Sequence, residues 1–494
     1  MYYLGIDLGS SSVKVALVEK STGKSIEVVQ KPEKEMVIHS PQKGWAEQAP
    51  EDWWKYICDG IKQLKTNHNI SKKNIEGIGI AYQMHGLVLL DENGTPLRKS
   101  IIWCDSRAVK TGNTAYDQIG TRKCDEHLLN SPANFTASKL KWVKENEPEI
   151  FDKIHKVMLP GDFIAYKLSG MMNTTISGLS EGVFWDFIND EVSKDVLNYY
   201  GFKKDLIPDV VDTFANQGEL SKTGANESGL LEGTPVLYRA GDQPNNALSL
   251  NVFNPGEIAA TGGTSGVVYA ITDNLSVKET SRINNFAHVN YAIGKTRNIG
   301  KLLCINGAGI QYRWLLNNLQ ASSYKEMNQL ANEIEIGSDG LCVIPFGNGA
   351  ERMLLNKDVG TRIVNLDLNR HSKAHACRAT LEGIAFAFVY GMEIMESDGM
   401  DSKIIRAGND NLFRSGIFAK TIATLTQKEI EIYNTTGAIG AARACAITLE
   451  GFETFSKFMK NDYVKTYKPL EDVTSYKKAY NNWKQELELI INNS

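Results

Sequence analysis

The chain is short of several features, and each shortage excludes something. Its seven cysteines stand far apart, at 58, 104, 124, 304, 342, 377 and 445. Their number is odd and no Cys-x-x-Cys pair occurs, which argues against a disulfide framework or a zinc site and fits a reducing cytoplasm. No apolar run approaches the ~18 residues of a membrane span. The opening Met1-Tyr2-Tyr3-Leu4-Gly5-Ile6-Asp7 lacks the basic region and apolar stretch of a signal peptide. Charge of one sign is scarce too: 54 Lys and Arg against 58 Asp and Glu leave a net charge of -4. That balance, with no basic run, predicts no nucleic-acid partner and no membrane surface. An anionic ligand has to be held by local geometry.

Familiar motifs are missing as well. Gly294-Lys295-Thr296 would end a Walker A loop, but Val289 stands where its first glycine belongs, so the segment reads as a turn with a surface lysine. Gly307-Ala308-Gly309 lacks the third glycine of a dinucleotide fingerprint, because Tyr312 takes that place. Zinc-hydrolase, serine-hydrolase and EF-hand patterns do not occur.

What is present fits two large domains, since 494 residues exceed one compact core. A break near residue 250, around Asn254-Pro255-Gly256, divides the chain into 1–250 and 251–494. Tyr3, Leu4 and Ile6 predict a strand, and Val13, Val15 and Leu17 alternate as a second one. Pro50-Glu51-Asp52 opens a helix, and Ile75 to Tyr82 is a further strand. In the second half a long helix is expected from about His371 to Met395, then a strand at Ile404-Ile405. The last ~40 residues read as helical. Both halves begin with a Gly/Ser/Thr-rich turn inside β structure, Gly9 to Ser12 and Thr261 to Gly266. This echo points to two domains of similar architecture around one cleft.

Four segments carry chemistry. In Asp7-Leu8-Gly9-Ser10-Ser11-Ser12, the glycine admits a phosphate to the backbone, and Ser10, Ser11 and Ser12 offer donors. Asp7 is a candidate Mg²⁺ ligand acting through water; a plain hairpin turn explains the segment equally well. Gly262-Gly263-Thr264-Ser265-Gly266 offers the same cradle or the same plain turn. Asp242 follows Gly241 at a strand end, where a lone carboxylate can take a proton from an attacking hydroxyl; the same residue would also cap the next helix. Gln83-Met84-His85-Gly86 and Trp103-Cys104-Asp105-Ser106-Arg107 each follow a strand. Their polar groups suit a sugar cleft, while His85, Trp103 and an Asp105–Arg107 ion pair could each be structural.

Taken together, these segments resemble the FGGY carbohydrate kinases, and within them the xylulokinase group, from Tyr3 to about Glu450. The resemblance rests on Gly5 to Ser11, Gln83 to Gly86, Ile102 to Arg107, Leu159-Pro160-Gly161-Asp162-Phe163 with Leu168-Ser169-Gly170, Gly241-Asp242, Thr261 to Gly266, Gly307 to Gln311, Leu381-Glu382-Gly383 and Gly437 to Ala442. It implies an α/β fold of two ribonuclease-H-like (actin-like ATPase) domains flanking a catalytic cleft, the first holding sugar and the second ATP. It implies Asp242 as general base. Met84, His85, Trp103, Asp105, Asp242 and Gln243 would meet the sugar. Ser10, Ser11, Ser12, Gly263, Thr264, Gly307, Gln311, Gly408, Asn409 and Asn411 would meet ATP, with Mg²⁺ near Asp7. The implied reaction is phosphorylation of D-xylulose at the expense of ATP in pentose breakdown, and a homodimer is an allowed assembly. Two departures stand out. Gln243 replaces the usual Asn of the group, which keeps ribulose, erythrulose and glycerol open as acceptors. Gly408 to Ser415 replaces a more glycine-rich adenosine loop. An actin-like filament or chaperone ATPase is the alternative outside sugar chemistry.

Overall fold

In the computed structural model, which describes residues 1–493, the chain is organised around two sheets with one strand order. The first comprises β1 (Tyr2–Leu8), β2 (Val13–Glu19), β3 (Ser25–Lys31), β4 (Ile75–Tyr82) and β5 (Val236–Gly241). They lie in the order β5-β4-β1-β2-β3, antiparallel from β1 to β3 and parallel across β1, β4 and β5. Strands β1, β2 and β4 are apolar almost throughout because both faces are covered.

The second sheet comprises β6 (Glu257–Gly262), β7 (Gly266–Thr272), β8 (Asn284–Ala287), β9 (Ile299–Ile305), β10 (Ile404–Gly408), β11 (Ile430–Tyr433) and β12 (Tyr463–Tyr467). Its order is β8-β9-β7-β6-β10-β11-β12. Without the edge strands β8 and β12, the third, second, first, fourth and fifth core strands lie side by side, as in the first sheet. The two glycine-rich turns therefore occupy equivalent places, between the first and second strands of each half.

Helices cover the sheets. We label α1 (Pro50–His68), α2 (Ile176–Glu181), α3 (Asp242–Ser249), α4 (Gly309–Asn318), α5 (Lys373–Ser397) and α6 (Gly437–Glu450). The long helix α5 begins and ends two residues later than the sequence predicts. Helix α1 turns Trp53, Ile57, Ile61 and Leu64 toward the first sheet, with Pro50 in its first turn as expected.

Two helices cross between the halves. Helix α3 follows the fifth strand of the first sheet, and α6 follows the fifth core strand of the second. They pack on each other, and Asn245 donates to the Gly437 carbonyl at 2.9 Å. Helix α6, late in the chain, lies against β1 and β4 of the first sheet. Only glycine allows that approach: a Cβ on Gly5 or on Gly79 would lie 1.9 Å from a carbonyl oxygen of α6, that of Ala438 or Ala441. A division of the chain at 250 thus leaves one helix of the second half seated in the first.

One expectation about elements is corrected. The C-terminal ~40 residues are not all helical, since Tyr463–Tyr467 forms β12, antiparallel to β11. Its partner lies some thirty residues away, and that pairing outweighs the helix-like surface pattern.

Candidate functional site

The two glycine-rich turns close corresponding ends of the two sheets. In the first, Gly9 N donates to Ser12 O at 3.0 Å, which tightens the hairpin just past Asp7 and Leu8. Ser10 is tied to both the Gln83–Gly86 and the Trp103–Arg107 segments: its Oγ accepts from Trp103 Nε1 at 3.2 Å, and its carbonyl accepts from Gln48 Nε2, whose amide oxygen in turn accepts from Gln83. Trp103 is half exposed, so its ring is free to cover a ligand beside the turn. Ser11 contributes its carbonyl to Met36 N.

Asp7 makes no side-chain hydrogen bond to any described residue, and burial pushes its carboxyl up, partly offset by Lys14. A Cβ on Gly437 would lie 2.7 Å from Asp7 Oδ2 and 3.3 Å from Asn246 Oδ1, so this glycine keeps space open around the carboxylate. Asp242 lies in the same recess. Its carboxyl is pushed up to about 7, first by burial and next by the charge of Asp7; the Gln243 amide and nearby backbone N–H groups act in the opposite direction. Two close, desolvated carboxylates with few protein partners form a site that favours a cation. Asp7 fits a water-mediated Mg²⁺ ligand on that ground. The capping alternative for Asp242 is not what forms: Gly241 is the N-cap of α3, and Asp242 is its first helical residue.

Met84 and His85 stand across from Asp242. Met84 is buried against Gly241, where a Cβ would come 2.6 Å from the Met84 Cγ. His85 adopts a left-handed backbone, φ 61°. Its ring packs between Phe135 at 4.7 Å and Phe286 of β8 at 5.2 Å. Burial and Lys139 push its imidazole down to about 3, so His85 is neutral at physiological pH.

Sequence reasoning missed the groups beneath this segment. Lys139 is fully buried and donates to the carbonyls of His85 at 2.8 Å and Ile102 at 3.1 Å, joining the two segments that carry these carbonyls. Burial lowers its ammonium to about 7. Glu181, at the end of α2, accepts from the His85 backbone and ring. Asp105 does not face the cleft. Its carboxylate accepts from Ala46 N at 2.6 Å and pairs with Arg107, which also binds Glu47, so it serves the ion pair.

On the other side, the second turn is fastened to the start of α4. Gly309 N donates to Gly263 O and Ile310 N to Thr264 O, both at 3.0 Å. A Cβ on Gly309 would lie 2.3 Å from Gly263 O. Beside this junction opens a cavity of about 730 Å³, lined by Gly263, Thr264, Tyr312, Arg313, Asn411 and Arg414 among others. That volume suits a nucleotide-sized ligand. Gly263, Thr264 and Asn411 thus share the lining of one cavity. Gln311 is buried and accepts from Thr361 at 2.8 Å, while Asn409 is joined to Asn434 at 2.9 Å. Gly408 ends β10 just before them. Gly307 is pressed on the Pro345 carbonyl and gives its N–H to Glu351, whose carboxylate also takes Asn306 N. Glu351 is another missed residue: it shapes the loop entering α4, and burial pushes its carboxyl up to about 7.

Paired hairpin tips, a carboxylate recess between them and an adjoining nucleotide-sized cavity are the features of a phosphotransferase of the actin-like ATPase fold. Residues 2–249 match the N-terminal domain of the FGGY family of carbohydrate kinases, and residues 258–449 match its C-terminal domain. The chain belongs to that family and is an ATP-dependent carbohydrate kinase. It is 28% identical over 502 residues to a xylulose kinase of Bacillus subtilis, covering 98% of this chain and 97% of that protein. A xyloylose kinase from Brucella ovis superposes with a TM-score of 0.87 at 26% identity, covering 100% of both chains. A Plasmodium falciparum glycerol kinase with ADP superposes at 0.88, with 18% identity over 99% of this chain and 98% of that one, a likeness of fold alone. Among the described residues, no helix is long and apolar enough to cross a membrane.

Proposed function

We propose that the chain transfers the γ-phosphoryl group of ATP to the terminal hydroxyl of D-xylulose, giving D-xylulose 5-phosphate, with Asp242 as general base. The observation that carries this reading is the placement of Asp242: a partly buried carboxyl just past the end of β5, in the recess shared with Asp7 and across from Met84 and His85. A carboxyl poised near 7 is half ionised at neutral pH and basic enough to accept a hydroxyl proton as the oxygen attacks phosphorus. The leaving group is ADP, so the proton is the only one Asp242 must hold.

The supporting groups divide by end. Met84, neutral His85 and the exposed face of Trp103 form a seat for an uncharged sugar. The Gly9–Ser12 and Gly263–Ser265 turns face the phosphates, and the cavity lined by Tyr312, Asn411 and Arg414 receives the nucleoside. A Mg²⁺ ion bound near Asp7 would supply charge neutralisation on the phosphate oxygens. The names of the relatives in Bacillus subtilis and Brucella ovis favour xylulose as acceptor. Gln243 favours a second reading within the same chemistry, in which the acceptor is ribulose, erythrulose or glycerol. A purified-enzyme panel of these acceptors with coupled ADP detection decides: highest kcat/KM on xylulose supports the first reading, and preference for another acceptor removes it. Dependence on cellular ATP makes the cytoplasm the proposed location.

A further inference from the structure

Glu181 is fully buried at the C-terminal end of α2, and one of its carboxyl oxygens, Oε2, has no hydrogen-bond partner. A buried polar atom left unpaired is costly and calls for a reason. Its surroundings supply one. Oε2 abuts Gly241, 2.4 Å from where a Cβ there would stand, and Gly241 immediately precedes the base. The other oxygen, Oε1, faces the His85 backbone N–H at a long 3.4 Å, and the Glu181 carbonyl pairs with His85 Nδ1 at 2.9 Å. The Tyr82 hydroxyl, which has no other partner, is aimed at the same carboxyl and interacts with it at longer range than a well-formed hydrogen bond. One side chain therefore touches both strand-end corners: the one carrying Met84 and His85, and the one carrying Asp242.

The helix that delivers Glu181 is itself fixed to the second half of the molecule. Ser177 Oγ donates to the Ala287 carbonyl at 3.0 Å, and Ala287 N donates to Ser180 Oγ at 2.9 Å, both on the edge strand β8. Phe286 of the same strand packs on the His85 ring. His85 is thus held from below by Glu181 and from the side by β8, and its left-handed backbone needs such support.

We propose that Glu181 is a positioning residue that locks the His85 acceptor seat to the Gly241–Asp242 corner. This rests on the reading of Met84, His85 and Asp242 as the sugar end. Burial, then the charge of Asp242, hold the Glu181 carboxyl well above the usual carboxylate range, so the side chain works as a neutral acid. Its hydrogen-bonding shape, and not its charge, does the positioning.

Two substitutions separate the possibilities. Glu181→Gln keeps size and hydrogen-bonding capacity without a titratable proton, and Glu181→Met keeps volume alone. Steady-state kinetics on the full chain, with acceptor and ATP varied in turn, should give a Gln variant within about three-fold of wild type. The Met variant should lose at least about ten-fold in acceptor kcat/KM while its ATP KM stays within about two-fold. Wild-type acceptor kcat/KM in the Met variant overturns the proposal, and so does equal damage in both variants. A Met variant that fails to fold while Gln folds assigns Glu181 to the fold and also overturns it. Asp242→Asn is assayed in parallel: if that variant stays active, the reading of the sugar end fails, whereas an inactive Asp242→Asn confines the Glu181 result to Glu181.

Discussion

The raised carboxyl of Asp242 makes its most direct statement through pH. An ordinary aspartate, with its carboxyl at 3.8, is fully ionised from pH 6 to 8 and would leave the rate flat there. Burial and Asp7 instead place Asp242 at about 7. A base must be ionised to act, so kcat/KM for the acceptor falls with acidity: about nine-tenths of the molecules are competent at pH 8, half at pH 7 and about one-tenth at pH 6. Holding the carboxyl at about 7 in place of 3.8 corresponds to about 4 kcal/mol of bias against the charged form. Because the folded value lies above the unfolded one, that bias works against stability as pH rises from about 4 to about 7, and is absent below. Asp242→Asn should therefore raise Tm at pH 8 and leave it nearly unchanged at pH 4, while abolishing phosphoryl transfer. The assay is initial-rate ADP release at saturating ATP, with the coupling system checked at each pH, alongside thermal melts of both proteins. A flat rate between pH 6 and 8, or an equal change in Tm at both pH values, refutes the reasoning.

Further outcomes follow from close approaches. Gly309→Ala places a methyl on the Gly263 carbonyl and should raise the ATP KM by about ten-fold or more, leaving the acceptor KM within about two-fold; unchanged ATP binding in a kinetic titration would contradict the nucleotide assignment. Gly5→Ala forces helix α6 off β1 and should cost about 1–3 kcal/mol or more, read by denaturant unfolding. Trp103→Ala removes the half-exposed ring that anchors Ser10, and should raise the acceptor KM several-fold with little change in Tm.

Local signals were the legible ones. The Gly9–Ser12 and Gly262–Gly266 turns sit between alternating strands, and the shared strand order places both at the cleft. The strand end before Asp242 was equally plain, although its helix cap proved to be Gly241. Glu181 carried no signal, because its meaning comes from contacts with His85 and Gly241, some 96 and 60 residues distant. Lys139 was hidden for the same reason: a lysine in an amphipathic helix reads as surface, and only the tertiary fold turns it onto the carbonyls of His85 and Ile102. Sequence alone does not settle that Asp105 pairs with Arg107 or that the Gln311 amide oxygen accepts from Thr361, because both pairings are set in the tertiary fold. Strand β12 falls in a stretch that reads as helical because its exposed Tyr463-Val464-Lys465 lacks an apolar face, and edge pairing with β11 alone makes it a strand.

The central claim is that this cleft phosphorylates a neutral ketose through Asp242. The most direct measurement is ADP formation by the wild-type and Asp242→Ala enzymes over a panel of xylulose, ribulose, erythrulose and glycerol. The account predicts acceptor-dependent turnover highest on xylulose, falling by several orders of magnitude in the Asp242→Ala protein. Turnover that ignores the acceptor, or near-wild-type kcat without Asp242, would contradict it.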